Sequence, residues 1–186
     1  MIKGKTVAAI ITDGFHNTEL TDPMHALQKA GAKVVVIAVS PDHLKAGVLD
    51  HETWLLPENM RPAKRQRADL LIDDARPEEY HGLLVPGGFS PERLRTFPKV
   101  VAFIKSMHAA RKPIAAICHG AQILISAEVV KGKRMTCVPT IAVDLKNAGA
   151  QYVDEALAVD GNLVTSRTPK DMQDFISGFE RVLDAS

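Results

Sequence analysis

Residues 112–125 read Lys-Pro-Ile-Ala-Ala-Ile-Cys-His-Gly-Ala-Gln-Ile-Leu-Ile. The apolar run before the cysteine is typical of a buried strand, and the residues from Gly120 onward are typical of the start of a helix. Cys118 therefore falls at a strand-to-helix turn, where backbone N–H groups and the helix dipole favour a thiolate. With His119 as base or ion-pair partner, this turn predicts a reactive cysteine. The alternative is a small buried cysteine beside a helix-capping histidine.

The rest of the chain alternates apolar strands with helices. The pattern predicts strands at 6–11, 33–39, 83–85, 135–138, 158–159 and 163–165, and helices at 19–30, 100–111, 140–148 and 169–183. Strands that are apolar throughout and alternate with helices predict an α/β fold with a mostly parallel sheet covered on both faces. Ligands of such sheets bind beyond the carboxyl ends of the strands, so the turns after residues 11, 85 and 117 are expected to meet at one crevice.

We expect a single domain over residues 1–186, because no repeat or low-complexity segment interrupts the pattern. The segment 41–67 fits least well, and we interpret it as an irregular excursion from the sheet. Its basic residues are Arg61, Lys64, Arg65 and Arg67. They predict a solvated face, with contact to a partner or an anionic substrate as the alternative.

Composition narrows the class of protein. The 186 residues are 46% hydrophobic and 24% charged with a net charge of +1, which is ordinary for a globular protein and gives no reason to expect a nucleic-acid or membrane partner. No apolar run is long enough to span a bilayer, and the first residues lack the apolar stretch of a signal peptide. With two cysteines, one of them predicted to be reactive, we expect a cytoplasmic protein. A disulfide between Cys118 and Cys137 would abolish the nucleophile.

A carboxylate and a glycine pair are expected near the cysteine. Glu19 begins the first helix, where it either complements the helix dipole or hydrogen-bonds the sulfur of Cys118. After the strand at 83–85 comes Pro86-Gly87-Gly88, whose glycines allow a close approach of backbone N–H groups. The N–H groups of Gly88 and His119 could form an oxyanion hole, although two glycines after a strand also suit a simple tight turn.

Glu92 lies just beyond the glycine pair. It could orient His119, but from the residues alone a solvated carboxylate at a helix start is the better interpretation.

The two thiols are expected to differ in acidity. We predict a lowered pKa for Cys118, which lies at a helix start beside a histidine, and none for Cys137, which lies in a strand-like stretch.

Several motifs, in this order along the chain, resemble the PfpI family of the ThiJ/PfpI superfamily. They are Glu19-Leu20, Pro86-Gly87-Gly88 with Ser90-Pro91-Glu92, Ile117-Cys118-His119-Gly120, Asn147-Ala148-Gly149-Ala150 and Val164-Thr165-Ser166-Arg167-Thr168-Pro169. The resemblance covers nearly the whole chain except the region around 51–67. It implies a flavodoxin-like three-layer sandwich, related to class I glutamine amidotransferases, with a nucleophile elbow. It also implies a homodimer or larger homo-oligomer.

The resemblance assigns roles to particular residues. Cys118 is implied to be the nucleophile, Glu19 its carboxyl partner, and the N–H groups of Gly88 and His119 the oxyanion donors. Glu92 is implied to reach His119 across a subunit interface, so that a complete Cys-His-Glu arrangement exists only in the oligomer.

Two residues depart from the family pattern. Ala121 stands where many relatives have proline, which is a mild change to a helix start. His16 stands where relatives often have glutamate, and we interpret it as a substrate-binding residue, with an exposed turn residue as the alternative. His16, Glu19 and His119 also raise the question of a zinc site, but a full ligand set is not visible. We expect no metal and no cofactor.

The resemblance favours a stress-related hydrolase of the glyoxalase or deglycase class, acting on reactive dicarbonyls or their adducts. An oligomer-dependent cysteine peptidase and a redox sensor or chaperone are the alternatives. The expected partners are therefore a second copy of the chain and a small carbonyl substrate or a peptide.

Overall fold

The computed structural model describes residues 2–39 and 66–186. The predicted excursion at 41–67 lies outside these residues except for its last two. The strands are β1 (Thr6–Ile11), β2 (Lys33–Ala38), β3 (Leu70–Leu71), β4 (Gly82–Val85), β5 (Ile114–Ile117), β6 (Arg134–Met135), β7 (Gln151–Tyr152), β8 (Leu157–Asp160) and β9 (Leu163–Ser166). The helices are α1 (Asn17–Lys29), α2 (Ser90–Leu94), α3 (Pro98–Ala109), α4 (Ala121–Ser126), α5 (Ala142–Asn147) and α6 (Met172–Ala185).

The main sheet has the strand order β3-β2-β1-β4-β5-β9-β8. Its neighbouring strands run parallel, except that β8 and β9 form an antiparallel pair at one edge. The central strands are in a register that ends them together, and Ile117 at the end of β5 pairs with Ser166 at the end of β9. The prediction of a mostly parallel sheet is confirmed.

Two apolar cores lie on opposite faces of this sheet. In β1, Ala8 and Ile10 face one core, and Val7, Ala9 and Ile11 face the other. The first core is filled from helices α3, α4 and α5, and the second from helices α1 and α6. Because side chains alternate across a strand, a strand covered on both faces must be apolar at every position. The three-layer, flavodoxin-like sandwich predicted from the sequence is therefore confirmed.

The region after α4 differs most from the predicted elements. The strand expected at 135–138 stops at Met135, and β6 pairs with β7 in a separate two-stranded sheet. The reason is a tertiary contact, because the N–H of Val138 donates to the carbonyl of Cys118 instead of to a neighbouring strand. The helix expected from residue 140 begins as a 3-10 turn, Pro139–Ile141, and becomes α5 only at Ala142.

Across residues 2–39 and 66–186, no helix is both long enough and apolar enough to cross a membrane.

Candidate active site

The turns that follow β1 and β4 are joined by backbone hydrogen bonds. The N–H of His16 donates to the carbonyl of Gly87 at 3.1 Å, and the N–H of Phe89 donates to the carbonyl of Gly14 at 2.7 Å. Phe15 and Gly88 form an antiparallel bridge between the two turns. The turn after β5 meets them, since an added Cβ on Gly87 would lie 2.7 Å from the Cβ of Cys118. The predicted convergence of three turns is confirmed.

Cys118 has a φ of 61°, the left-handed conformation that residues other than glycine rarely adopt. It opens a 3-10 turn, Cys118–Gly120, between the extended end of β5 and the start of α4. At the end of this turn Gly120 leaves no room for a side chain, because a Cβ there would lie 2.6 Å from the carbonyl oxygen of Val85. A cysteine held in such a strained turn at the end of a central strand is the geometry of a nucleophile elbow. The expectation of a strained strand-to-helix turn is confirmed.

Glu19 lies in the first turn of α1 and is fully buried. Its Oε2 accepts a hydrogen bond of 2.7 Å from the N–H of Gly87. The same oxygen lies beside Cys118, since a Cβ added to Gly87 would meet Oε2 at 2.6 Å and the Cβ of Cys118 at 2.7 Å. Burial raises the pKa of Glu19 to about 7, against the interactions with Gly87 and Cys118, which lower it. A carboxyl group with this pKa can take up or release a proton at Cys118 near neutral pH.

The prediction of a lowered pKa for Cys118 is wrong. Burial raises the pKa of this thiol, and the carboxylate of Glu19 raises it further, against the N–H groups of His119 and Gly88. The donors expected from the sequence are present, but only 3% of Cys118 is exposed, and loss of hydration outweighs them. Burial and then the charge of Asp144 also raise the pKa of Cys137, to about 12. The Cys118 thiol therefore keeps its proton at neutral pH, with the carboxyl group of Glu19 beside it.

The backbone N–H groups of Gly88 and His119 face Cys118 and act against the rise in the pKa of its thiol. They are the two groups that the sequence nominated as oxyanion donors, and the structure brings both to this cysteine. Gly87 leaves room beside Cys118, because a Cβ at position 87 would lie 2.6 Å from Oε2 of Glu19 and 2.9 Å from the backbone nitrogen of His119. The donation of these groups to a reacting oxygen stays a prediction.

The imidazole of His119 lies between two side chains. Its Nδ1 is 3.3 Å from the sulfur of Cys118, and its Nε2 is 3.4 Å from Oγ1 of Thr140. Sequence reasoning missed Thr140, which it placed at the first position of a helix. No motif marks this threonine, and only the path of the chain after β6 brings it to the histidine.

Glu92 and His16 are placed differently from the residues around the sulfur. Glu92 is exposed on α2, and within the described part of this single chain no hydrogen bond joins it to His119. His16 is the N-cap residue of α1 and is only 2% exposed, with Nδ1 lying 3.2 Å from Oγ1 of Thr18. His16 is therefore buried, and the alternative of an exposed turn residue is wrong. Substrate binding by His16 and a contact from Glu92 across an interface stay predictions.

In the described ranges, 2–39 and 66–186, no group of three or more His, Cys, Asp and Glu side chains is arranged to hold a metal ion. His16, Glu19 and His119 do not form such a group.

Gly88 and Gly132 allow a test of how tightly the crevice is built. Both have a φ of +74°, but a Cβ on Gly88 would lie 2.3 Å from the carbonyl oxygen of Gly14, whereas one on Gly132 meets nothing within 4 Å. Gly132→Ala is expected to cost only the left-handed strain, about 1–2 kcal/mol in the free energy of unfolding. Gly88→Ala should cost clearly more and should also reduce activity, because the turn carrying the Gly88 N–H must shift. Urea unfolding of the two variants measures the difference in the free energy of unfolding. Equal losses of stability would contradict the close approach of Gly88 to the carbonyl oxygen of Gly14.

The comparisons with known proteins agree with this geometry. Residues 5–180 match the DJ-1/PfpI family. The protein/nucleic acid deglycase 2 of Escherichia coli (strain K12) is 38% identical over 182 residues, covering 97% of this chain and 99% of that protein. A deglycase of Thermococcus kodakarensis is 37% identical over 177 residues, covering 95% of this chain and 98% of that protein.

A solved structure is similar over the same extent. It is a two-domain protein of Anabaena variabilis with DJ-1/ThiJ/PfpI-like and ferritin-like domains, and it matches with a TM-score of 0.85 and 34% identity. The match covers 97% of this chain and 48% of that longer chain. A parallel sheet with a strained cysteine at the end of its central strand, together with this extent of similarity, shows that the chain belongs to the DJ-1/PfpI family.

Proposed function

We propose that this protein is a cysteine-dependent deglycase that breaks down dicarbonyls such as methylglyoxal and the adducts they form with thiols and amines. The single observation that carries the proposal is the buried contact between Cys118 and Glu19, in which burial raises the pKa of the carboxyl group to about 7. The names of the Escherichia coli and Thermococcus relatives, both called deglycases, support the same class of reaction.

The first chemical step is attack on the aldehyde carbon. A bond forms between that carbon and the sulfur of Cys118, and the proton of the thiol passes to the carboxylate of Glu19. The electron pair of the carbonyl moves onto its oxygen, which the N–H groups of Gly88 and His119 stabilise until it is protonated. The position of the Glu19 carboxyl group beside Cys118 and its pKa of about 7 support this direction of proton transfer.

The overall reaction needs no external oxidant or reductant. Methylglyoxal and one water give lactate, because the aldehyde carbon is oxidised to the carboxylate while the neighbouring ketone carbon is reduced to the alcohol. When the substrate is a hemithioacetal adduct, the same change releases the free thiol. A proton must move between the two carbons, and a carboxyl group with a pKa near 7 suits a residue that both accepts and returns it.

An activity assay across pH tests the proposal. The purified protein is expected to form lactate from methylglyoxal and to release N-acetylcysteine from its methylglyoxal adduct. Because the base form of Glu19 is required, kcat/KM should rise with pH around 7 and then level off. Cleavage of unfolded peptides in the absence of lactate formation would overturn the proposal in favour of a peptidase.

The peptidase alternative depends on a second subunit. Glu92 is exposed on α2, which packs beside the turn of Cys118, so this surface is open to a partner copy in the single chain. We propose a homo-oligomer of the kind implied by the family resemblance. Light scattering of the purified protein tests it, and a monomer at assay concentrations would exclude any role for Glu92 across an interface.

A further inference from the structure

We propose that Thr140 is the residue that orients His119, and that its hydroxyl holds the imidazole in the form that carries a proton on Nδ1. The proposal rests on Cys118 being the nucleophile of the proposed function, but it concerns a residue that neither the sequence motifs nor the family resemblance assigns. Its place in the site is that of the third member of a Cys-His arrangement, supplied from the same chain.

The contact geometry places the imidazole between the sulfur and the hydroxyl. Nδ1 of His119 is 3.3 Å from the sulfur of Cys118, and Nε2 is 3.4 Å from Oγ1 of Thr140. A neutral imidazole has one N–H donor and one acceptor nitrogen, so the hydrogen bond at one nitrogen fixes the role of the other. A threonine hydroxyl can donate or accept, and the direction must therefore be decided at the sulfur.

The sulfur decides the direction because a thiol has one hydrogen. The ionised carboxylate of Glu19 can only accept, and it lies beside the thiol, since a Cβ added to Gly87 would meet Oε2 of Glu19 at 2.6 Å and the Cβ of Cys118 at 2.7 Å. With the thiol hydrogen directed to Glu19, Nδ1 of His119 faces, at 3.3 Å, a sulfur that can only accept. Nδ1–H donates to that sulfur when the hydroxyl of Thr140 donates to Nε2, so the two contacts of the imidazole favour the same tautomer.

The backbone around Thr140 is held in place on both sides. The N–H of Val138 donates to the carbonyl of Cys118 at 3.4 Å, and the N–H of Ile141 donates to the carbonyl of Val138 at 3.1 Å. Pro139 restricts the first position of this 3-10 turn, and Ile141 is 5% exposed in the core. The turn is thus tied to the backbone of the nucleophile itself, so Thr140 and Cys118 keep their relative positions.

The consequence for chemistry is stabilisation of the thiolate. When the proton of Cys118 has passed to Glu19, the sulfur carries a negative charge, and Nδ1–H of His119 adds a third donor to the two backbone N–H groups. A histidine with the proton on Nε2 would instead present a lone pair to that charge. Thr140 therefore acts on the reaction only through His119 and is a positioning residue.

The experiment compares Thr140→Val, which keeps the shape and loses the hydroxyl, with Thr140→Ser, which keeps the hydroxyl. The ¹⁵N NMR signals of His119 report which nitrogen carries the proton and need no turnover. The wild-type protein and Thr140→Ser are expected to show the proton on Nδ1, and Thr140→Val a shift towards Nε2. The alkylation rate of Cys118 by iodoacetamide and kcat should both fall about 2- to 10-fold in Thr140→Val, with KM little changed, as expected for the loss of one hydrogen bond.

The outcomes separate this proposal from the proposed function. An unchanged His119 spectrum in Thr140→Val overturns the role of Thr140, whatever the enzyme does with dicarbonyls. If the His119 spectrum shifts in Glu92→Gln but not in Thr140→Val, the proposal is also overturned, and the residue that orients His119 is Glu92 of the neighbouring subunit. A shifted spectrum and slower alkylation in a protein that makes no lactate support the role of Thr140 and reject only the deglycase reaction.

Discussion

Replacing Cys118 by alanine is expected to lower the turnover of methylglyoxal and its adducts by at least about 10³-fold, because the covalent path is lost. The sulfur is the atom on which Glu19, His119 and two backbone N–H groups converge. An alanine methyl group leaves these groups in place but offers nothing that can bond to the substrate carbon. The loss should therefore fall on kcat, and stopped assays of lactate formation over long incubation will measure it.

Cys137→Ala is the matched control for this change. Cys137 is also a buried cysteine without a disulfide, but it lies in the core on the other face of the sheet from the core that contains Cys118. Its replacement is expected to leave lactate formation close to that of the wild-type protein. Equal losses in the two variants would indicate a folding defect, and full activity in Cys118→Ala would reject a cysteine nucleophile.

Replacing Glu19 by glutamine is expected to lower kcat by about 10²–10⁴-fold, the range typical of a general acid–base group. The amide oxygen can still accept the hydrogen bond of 2.7 Å from Gly87 that the carboxylate accepts now. The glutamine cannot take the proton of Cys118, so the rise of activity around pH 7 should disappear with it. KM should change less than kcat, because Glu19 has no exposed surface with which to bind substrate.

The same variant should change how stability depends on pH. The pKa of Glu19 is about 7 in the folded protein and near 4.5 for the unperturbed group, so the folded state binds more protons between these values. The contribution of Glu19 to the free energy of unfolding is therefore fully present below pH 4.5 and is lost as the pH rises through 7. The total loss is about 3 kcal/mol. Urea unfolding at pH 5 and pH 8 should therefore show a smaller decrease for Glu19→Gln than for the wild-type protein. An identical decrease would mean that Glu19 is not a buried carboxyl group that titrates near 7, and its catalytic role would fail with it.

The sequence determined the architecture because its signals are local. Strands such as β4 and β5 are apolar at every position, since both of their faces are covered, and this pattern can be read without a structure. The turn at Cys118 could also be predicted from the sequence, because an apolar run ends there and a helix begins. The mostly parallel sheet, the crevice at its carboxyl edge and the position of Cys118 in that crevice follow from these features alone.

The electrostatics of the site depend on how the chain folds around it. The hydrogen-bond donors near Cys118 could be predicted from the sequence, but the loss of hydration of its thiol could not. Burial therefore reverses the predicted direction of the shift in its pKa. Burial also raises the pKa of Glu19, a carboxyl group at a helix start, to about 7. Thr140 lies beside His119 because the chain does not continue as a strand at Val138, whose N–H donates to the carbonyl of Cys118 instead. Burial and long-range contacts of this kind depend on where distant segments meet, which no local pattern of residues contains.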